Sequence, residues 1–327
     1  MELLEPTPAN LARAARALAE GSLVALPTET VYGLGANAFD VDAVARVFEA
    51  KRRPSFDPLI VHIADLEGLD RVAEFRGSLG PRLAAAFWPG PLTLILPKRE
   101  AVPGLVTSGL DTVAVRMPAH PVARELIRLS GVPVAAPSAN PFGYLSPTRA
   151  EHVAKMLGDR VDFIVDGGPC DIGVESTVLD LSSERPTILR PGGLPRSAIE
   201  ELIGSVDLVD RSSALPTSPG QLESHYAPRT PLRLFEAGAL ARATPGRGVA
   251  AIFFDEGSRR AAAGRGFATE IVLSPGAELR EAAAALFVAL HDLDASGWAE
   301  IWAERLPSEG LGLAVNDRLW KASTKGS

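Results

Sequence analysis

Short apolar runs alternate with helical patterns along most of this 327-residue chain, and that alternation restricts it to an α/β fold. Ser22–Pro27, Leu59–Ile63, Leu92–Leu96, Val113–Arg116, Val132–Ala136, Phe163–Val165 and Thr177–Leu179 read as buried strands. Between them, Asn10–Glu20 reads as a helix stopped by Gly21, and Asp40 as the N-cap of a helix that buries Val44, Val47 and Phe48. Ser146-Pro147 reads as a helix start, with proline at the first position, running to Leu157. A helix over Ser197–Ile203 ends at Gly204. The texture then changes. Arg211–Pro231 holds Pro216, Pro219, Gly220, Pro228 and Pro231 among serines and threonines, a linker composition, yet it carries His225 and Tyr226, which a passive spacer does not need. A second α/β pattern follows, with strands at Leu232–Phe235, Val249–Phe254 and Thr269–Leu273 and an amphipathic helix at Glu278–Leu293.

Two domains are expected at roughly 150 residues each. Apolar residues are 46% and charged residues 22%, which excludes a disordered chain and a coiled coil. One cysteine excludes an internal disulfide framework and an all-cysteine metal site. A net charge of −7 argues against a broad grip on nucleic acid, though not against a local basic patch for a phosphorylated small molecule. No apolar run approaches the length of a membrane span, and Met1-Glu2-Leu3-Leu4-Glu5-Pro6 is acidic where a signal peptide is basic. A cytosolic location is the expectation.

The common nucleotide, zinc-protease, nucleophile-elbow and C-x-x-C signatures are absent. What stands out is the set of loops at strand ends, where open α/β sheets bind ligands. Pro27–Gly35 combines hydroxyls, a carboxylate, a phenol and glycines. Lys51-Arg52-Arg53-Pro54 ends a helix and precedes a strand carrying His62. Arg116 ends an otherwise apolar strand and therefore needs an anionic partner. Pro137-Ser138-Ala139-Asn140-Pro141, Asp166-Gly167-Gly168 and Arg190-Pro191-Gly192-Gly193 follow further strands. Lys51, Arg53, Arg116 and Arg190 converging on one sheet edge would favour a nucleotide or another phosphate ester, with side chains replacing a Walker loop. Cys170, alone among glycines, reads as filler rather than a nucleophile.

These segments resemble the YrdC/Sua5 family of threonylcarbamoyl-AMP synthases. Pro27–Gly35 is similar to that family's P-T-[ED]-T-x-Y-G-L, Lys51–Pro54 to its K-x-R-P, and Trp88–Thr93 to its W-P-G-P-x-T. Val115–Pro118, Ser138–Asn140, Glu175–Val178 and Leu189–Gly192 resemble its later motifs, all in order. Ser218–Gly220, Ser224–Pro228, Gly310–Gly312 and Asn316–Leu319 resemble the long, two-domain form. One position departs: the family usually has Asn where this chain has Asp57, which either helps hold Mg²⁺ or turns outward.

The resemblance implies a YrdC-like catalytic domain over 1–205 built on a twisted, open mixed sheet, a linker and lid over 206–231, and a smaller Rossmann-like domain over 232–327. It implies synthesis of threonylcarbamoyl-AMP and pyrophosphate from L-threonine, bicarbonate or CO₂, and ATP with Mg²⁺. The product supplies N6-threonylcarbamoyladenosine in tRNA through a transferase complex, with at most weak direct tRNA contact. By motif position, Thr30, His62, Arg116, Ala136 and Ser176 would hold threonine. Lys51 and Arg53 would hold the triphosphate and serve catalysis. Asp57, Thr112, Ser138, Asn140, Ser146, Arg190 and the lid residue Tyr226 would complete the nucleotide site. The rival readings are an RNA-binding module, a hydrogenase-maturation carbamoyl transferase and a nucleotide sensor. The single cysteine counts against the zinc-finger part of the second.

Overall fold

The structure, a computed structural model, describes residues 1–183, 185–209 and 226–324. The chain divides into two units. The first holds Met1–Phe142, Ser146–Asp171 and the described residues from Glu175 through 209. The second holds Gly143–Leu145, Ile172–Val174 and the described residues from 226 onward. The two short insertions are not part of a linear division at 205.

The first unit is one mixed sheet. Its strands are β1 (Glu2–Leu4), β2 (Val24–Leu26), β3 (Gly33–Asn37), β4 (Ile60–His62), β5 (Leu92–Pro97), β6 (Thr112–Arg116), β7 (Val134–Ala135), β8 (Phe163–Val165), β9 (Thr177–Asp180), β10 (Thr187–Arg190) and β11 (Asp207–Leu208). The order across the sheet is β1-β8-β2-β3-β7-β4-β6-β5-β9-β10-β11. Parallel pairs such as β4 with β6 sit beside antiparallel pairs such as β5 with β6, giving the mixed sheet expected. Cross-strand register places Ile60, Ala114 and Ile95 on one face, with Val178 and Leu189 in the same apolar cluster. The larger cluster, including Val61, Val113, Val115 and Leu94, packs under the helices.

Local chemistry explains the helix boundaries. Asp40 accepts hydrogen bonds from the backbone N–H groups of Asp42 and Ala43, capping the helix Val41–Lys51 as the sequence suggests. That helix delivers Lys51 at its last turn. The helix expected from Ser146 instead spans Ala150–Leu157. Ser146 is drawn away because its hydroxyl donates to Glu175, while the Pro147 carbonyl accepts from Tyr32 N–H. β3 was not expected from the sequence. It passes so close to its neighbours that a side chain at Gly35 would meet Leu26 at 2.8 Å and Val134 at 2.9 Å.

The second unit has a four-stranded parallel sheet, β12 (Leu232–Phe235), β13 (Val249–Phe253), β14 (Thr269–Val272) and β15 (Glu300–Glu304), in the order β12-β15-β13-β14. Every pair is parallel, in keeping with the Rossmann-like expectation. The amphipathic stretch near the C-terminus forms the helix Leu279–Ala295.

Gly192 marks a close backbone approach. A Cβ there would lie 2.3 Å from the Glu175 carbonyl oxygen and 2.4 Å from Thr177 N. Gly192→Ala is therefore expected to cost about 1–3 kcal/mol, a drop of several degrees in thermal midpoint. Gly104→Ala, where a Cβ meets open space, is the control. Equal midpoints for the two variants would show that the approach is not constraining.

Candidate active site

The loop after β2 folds around the Thr28 hydroxyl. That oxygen accepts from Thr30 N and Val31 N, both at 3.2 Å, donates to the Val31 carbonyl at 2.6 Å, and lies 2.9 Å from Thr30 Oγ1. The turn presents Thr30 and Glu29 to Arg116 at the end of β6. Arg116 Nη1 donates to Thr30 Oγ1 at 2.8 Å, Nε to the Gly90 carbonyl at 3.3 Å, and Nη2 lies 2.6 Å from Glu29 Oε1. Glu29 is thus the anionic partner that a buried strand-end arginine requires. Burial works against ionisation of Glu29, but the Arg116 charge and contact outweigh it, so the carboxyl sits below its ordinary value.

His62 stands opposite Arg116 in the β4–β6 register, with Nδ1 3.3 Å from the Ile60 carbonyl. Burial, reinforced by the Arg116 charge, pushes its pKa down to about 3, so the imidazole is neutral at physiological pH. Thr93, also opposite Arg116, shares a 2.7 Å hydrogen bond with Ser176. Arg190 donates to the Ser176 carbonyl from Nε at 3.1 Å and Nη2 at 3.0 Å, and to Ser176 Oγ at 3.1 Å. Arg116, His62, Thr30, Ser176 and Arg190 therefore meet at one end of the central strands. Ala136 joins them through its backbone N–H, which donates to the Ile60 carbonyl at 2.9 Å.

The cationic flank is tied to main-chain carbonyls. Lys51, fully buried, donates to the Ser138 carbonyl at 2.5 Å, the Asn140 carbonyl at 2.6 Å and Asn140 Oδ1 at 3.4 Å. Burial, then the nearby Arg53, depresses its pKa well below the usual lysine range. Lys51 thus pins the Ser138–Asn140 turn. Arg53 donates to the Asp57 and Pro58 carbonyls, at 3.0 and 2.8 Å, and pairs with Asp57 Oδ2 at 2.9 Å. Asp57 is turned inward with no exposure, which overturns the outward alternative. Burial raises its pKa against the pull of Arg53, Lys51 and Arg190. An arginine, rather than open solvent, is what makes this buried carboxylate tolerable.

Ser146 is buried and donates to Glu175 at 2.5 Å. Thr112 does not join the group. It shares a face of β6 with Arg116 but lies four residues away, about 13 Å along the strand. The Ile60, Ile95, Ala114, Val178 and Leu189 cluster occupies the interval. Tyr226 belongs to the second unit, where it is buried against Phe287 and 5.0 Å from the Arg318 guanidinium. Of the linker and lid expected over 206–231, residues 210–225 lie outside the described residues. Sequence reasoning missed Thr28, Glu29, Thr93 and Glu175 as site residues. All four sit inside the motifs already noted, and only their tertiary partners reveal their tasks. Cys170 is buried and burial pushes its thiol pKa up, which suits filler.

Comparison with known proteins decides the family. Residues 16–192 match the Sua5/YciO/YrdC family model described as "Telomere recombination", and 194–324 match "Threonylcarbamoyl-AMP synthase, C-terminal domain". The chain belongs to the threonylcarbamoyl-AMP synthase family. It is 48% identical to the threonylcarbamoyl-AMP synthase of Pyrococcus abyssi, covering 95% of this chain and 93% of that one. It is 46% identical to the Bacillus subtilis enzyme of the same name, covering 96% and 93%. The crystal structure of P. abyssi Sua5 complexed with L-threonine superposes with a TM-score of 0.89 at 43% identity, over 98% and 97% of the two chains. The family assignment thus spans both units.

The Glu29–Arg116 pair has a pH signature. A carboxyl whose folded pKa is depressed adds stability above its unfolded value, near 4.3, and loses it as pH falls through the folded value. Glu29→Gln is expected to lower stability by about 3 kcal/mol at pH 7, because Arg116 is left uncompensated. The gap from the parent should narrow as pH falls below about 4. Urea midpoints at pH 7 and pH 3.5 check this, and a gap independent of pH would rule out the ion pair as its source.

Proposed function

We infer that this chain is an L-threonylcarbamoyladenylate synthase, forming threonylcarbamoyl-AMP and pyrophosphate from L-threonine, CO₂ or bicarbonate, and ATP. The observation that carries the reading is the buried constellation at one sheet end, where a neutral histidine and two hydroxyls surround Arg116 beside the Arg53–Asp57 and Arg190 cluster. Arg116 suits the threonine carboxylate by a charge-assisted pair. Thr30 and Ser176 offer hydroxyls, and neutral His62 offers hydrogen bonding without a second positive charge. Ala136 contributes backbone at the same place.

The chemistry needs no enzyme nucleophile. The threonine amine adds to CO₂, giving an N-carboxylate and releasing protons. A carboxylate oxygen then attacks the α-phosphorus of ATP, and the bond to the pyrophosphate oxygen breaks. Catalysis rests on positioning and on stabilising charge at the transferring phosphorus. Arg53 and Arg190 are the cations suited to that charge. Lys51, with Arg53, is the residue proposed to meet the triphosphate, and it also holds the turn that carries Ser138 and Asn140. Asp57, Ser138, Asn140, Ser146 and Tyr226 as nucleotide contacts belong to the same proposal.

Among the described residues, no group of three or more His, Cys, Asp or Glu side chains could hold a metal ion. Magnesium enters the proposal as part of the Mg·ATP substrate, carried on phosphate oxygens. A cytosolic location, with the product passed to a tRNA-modifying transferase, completes the reading. Among the described residues, no helix is long and apolar enough to cross a membrane.

Pyrophosphate release from Mg·ATP and bicarbonate, without tRNA, should depend on L-threonine and be much weaker with L-serine. Arg116→Ala should lower kcat/KM for threonine about 100-fold, the loss of a charge-assisted contact. Chelating magnesium should stop release while leaving the unfolding midpoint unchanged. ATP binding with no threonine-dependent release would favour a nucleotide sensor instead.

A further inference from the structure

We propose that Asp294, in the second unit, is a positioning residue for the nucleotide-binding loops, acting through Tyr144. The proposal rests on the synthase reading above and extends it to a task for the C-terminal part of the chain. Two short insertions from the N-terminal half belong to the second unit, Gly143–Leu145 and Ile172–Val174. Both directly adjoin site residues. The first lies between Asn140 and Ser146, and the second immediately precedes Glu175 and Ser176.

One helix, Leu279–Ala295, receives both insertions. At its C-terminal end, the Tyr144 hydroxyl donates to Asp294 Oδ2. The other oxygen of the same carboxylate, Oδ1, accepts from Thr230 N at 2.7 Å. Asp294 therefore ties the 143–145 insertion to the backbone at Thr230. A second tie runs in parallel, from Ala227 N to the Gly143 carbonyl at 2.9 Å. The Arg229 guanidinium lies 5.5 Å from the centre of the Tyr144 ring, and His291 meets that ring edge-on at 6.1 Å. Nearer the middle of the helix, Gly173 rests against its backbone. A Cβ there would stand 2.5 Å from Ala284 Cα and 2.6 Å from the Ala283 carbonyl oxygen, and its φ of +75° also favours glycine.

The physical consequence is a short lever. Asn140 and Ser146 are six residues apart, and the loop between them is held near its midpoint by the Tyr144 bond. Releasing that bond lets the loop relax and takes Asn140 and Ser146 off their positions, while Arg116, Thr30 and His62, on other segments, stay in place. The nucleotide side of the site should loosen and the threonine side should not.

The test is calorimetric binding of Mg·ATP and, separately, of L-threonine to the full chain and to Tyr144→Phe, Asp294→Asn and the double variant. Each single variant should weaken ATP binding about 10-fold, with the double no worse than either single, since both remove one shared interaction. Threonine affinity should stay within about twofold. Tyr144→Phe keeps the ring and so tests the proposal even if Asp294→Asn folds poorly. Unchanged ATP affinity, additive losses, or parallel weakening of both ligands would each overturn it. An unaltered chain that binds ATP but releases no pyrophosphate would sink the synthase reading and leave the coupling measurable. One that binds no ATP would overturn both.

Discussion

A guanidinium at the inner end of a central strand cannot be left without compensation, because removing a charge from water costs several kcal/mol. Arg116 is in that position, and two distant segments answer it. Glu29 and Thr30 come from the loop after β2, and the Gly90 carbonyl from the turn before β5. The Thr28 hydroxyl holds the first of these segments in shape by satisfying two N–H groups and one carbonyl. The conformation of the most motif-rich loop thus follows from the need to neutralise one arginine. Burial, reinforced by the Arg116 charge beside it, keeps His62 neutral.

The other buried cations follow the same rule by different means. Lys51 and Arg190 spend their donors on main-chain carbonyls, of Ser138 and Asn140 in one case and of Ser176 in the other. Arg53 combines two carbonyls with the Asp57 carboxylate. Each cation therefore fixes a loop while contributing charge. A site of this kind is preorganised, which is what the proposed reaction, with no enzyme nucleophile, demands. Charge stabilisation is useful only when the charges do not have to move to provide it.

The second unit is more than an appendage in sequence order. It includes Gly143–Leu145 and Ile172–Val174, and the helix Leu279–Ala295 carries contacts to both. A linear boundary at residue 205 is natural from composition, where proline, serine and threonine accumulate. Composition reports where the chain is extended or turning. It does not report which short loops a later helix will pack against.

Much of the fold was legible in sequence because its causes are local. Apolar runs placed most strands within a residue or two, Asp40 announced its cap, and Gly204 its helix end. The need of Arg116 for an anion was legible too, since a charge among valines is conspicuous. The identity of that anion was not, because Glu29 lies 87 positions away and only the folded loop after β2 brings it to Arg116. Ser146 looked like a helix start because its local propensity is real, yet a buried Glu175 competes successfully for its hydroxyl. β3 was hidden because glycine has poor strand propensity, although close approach to Leu26 and Val134 requires it there. The sequence by itself determined the elements, the motifs and the family they resemble, all of which depend on neighbours along the chain. Tertiary structure decided which charges pair, that Lys51 is a strut, and that Thr112 stands apart, because those depend on distances that strand register and long-range packing alone set.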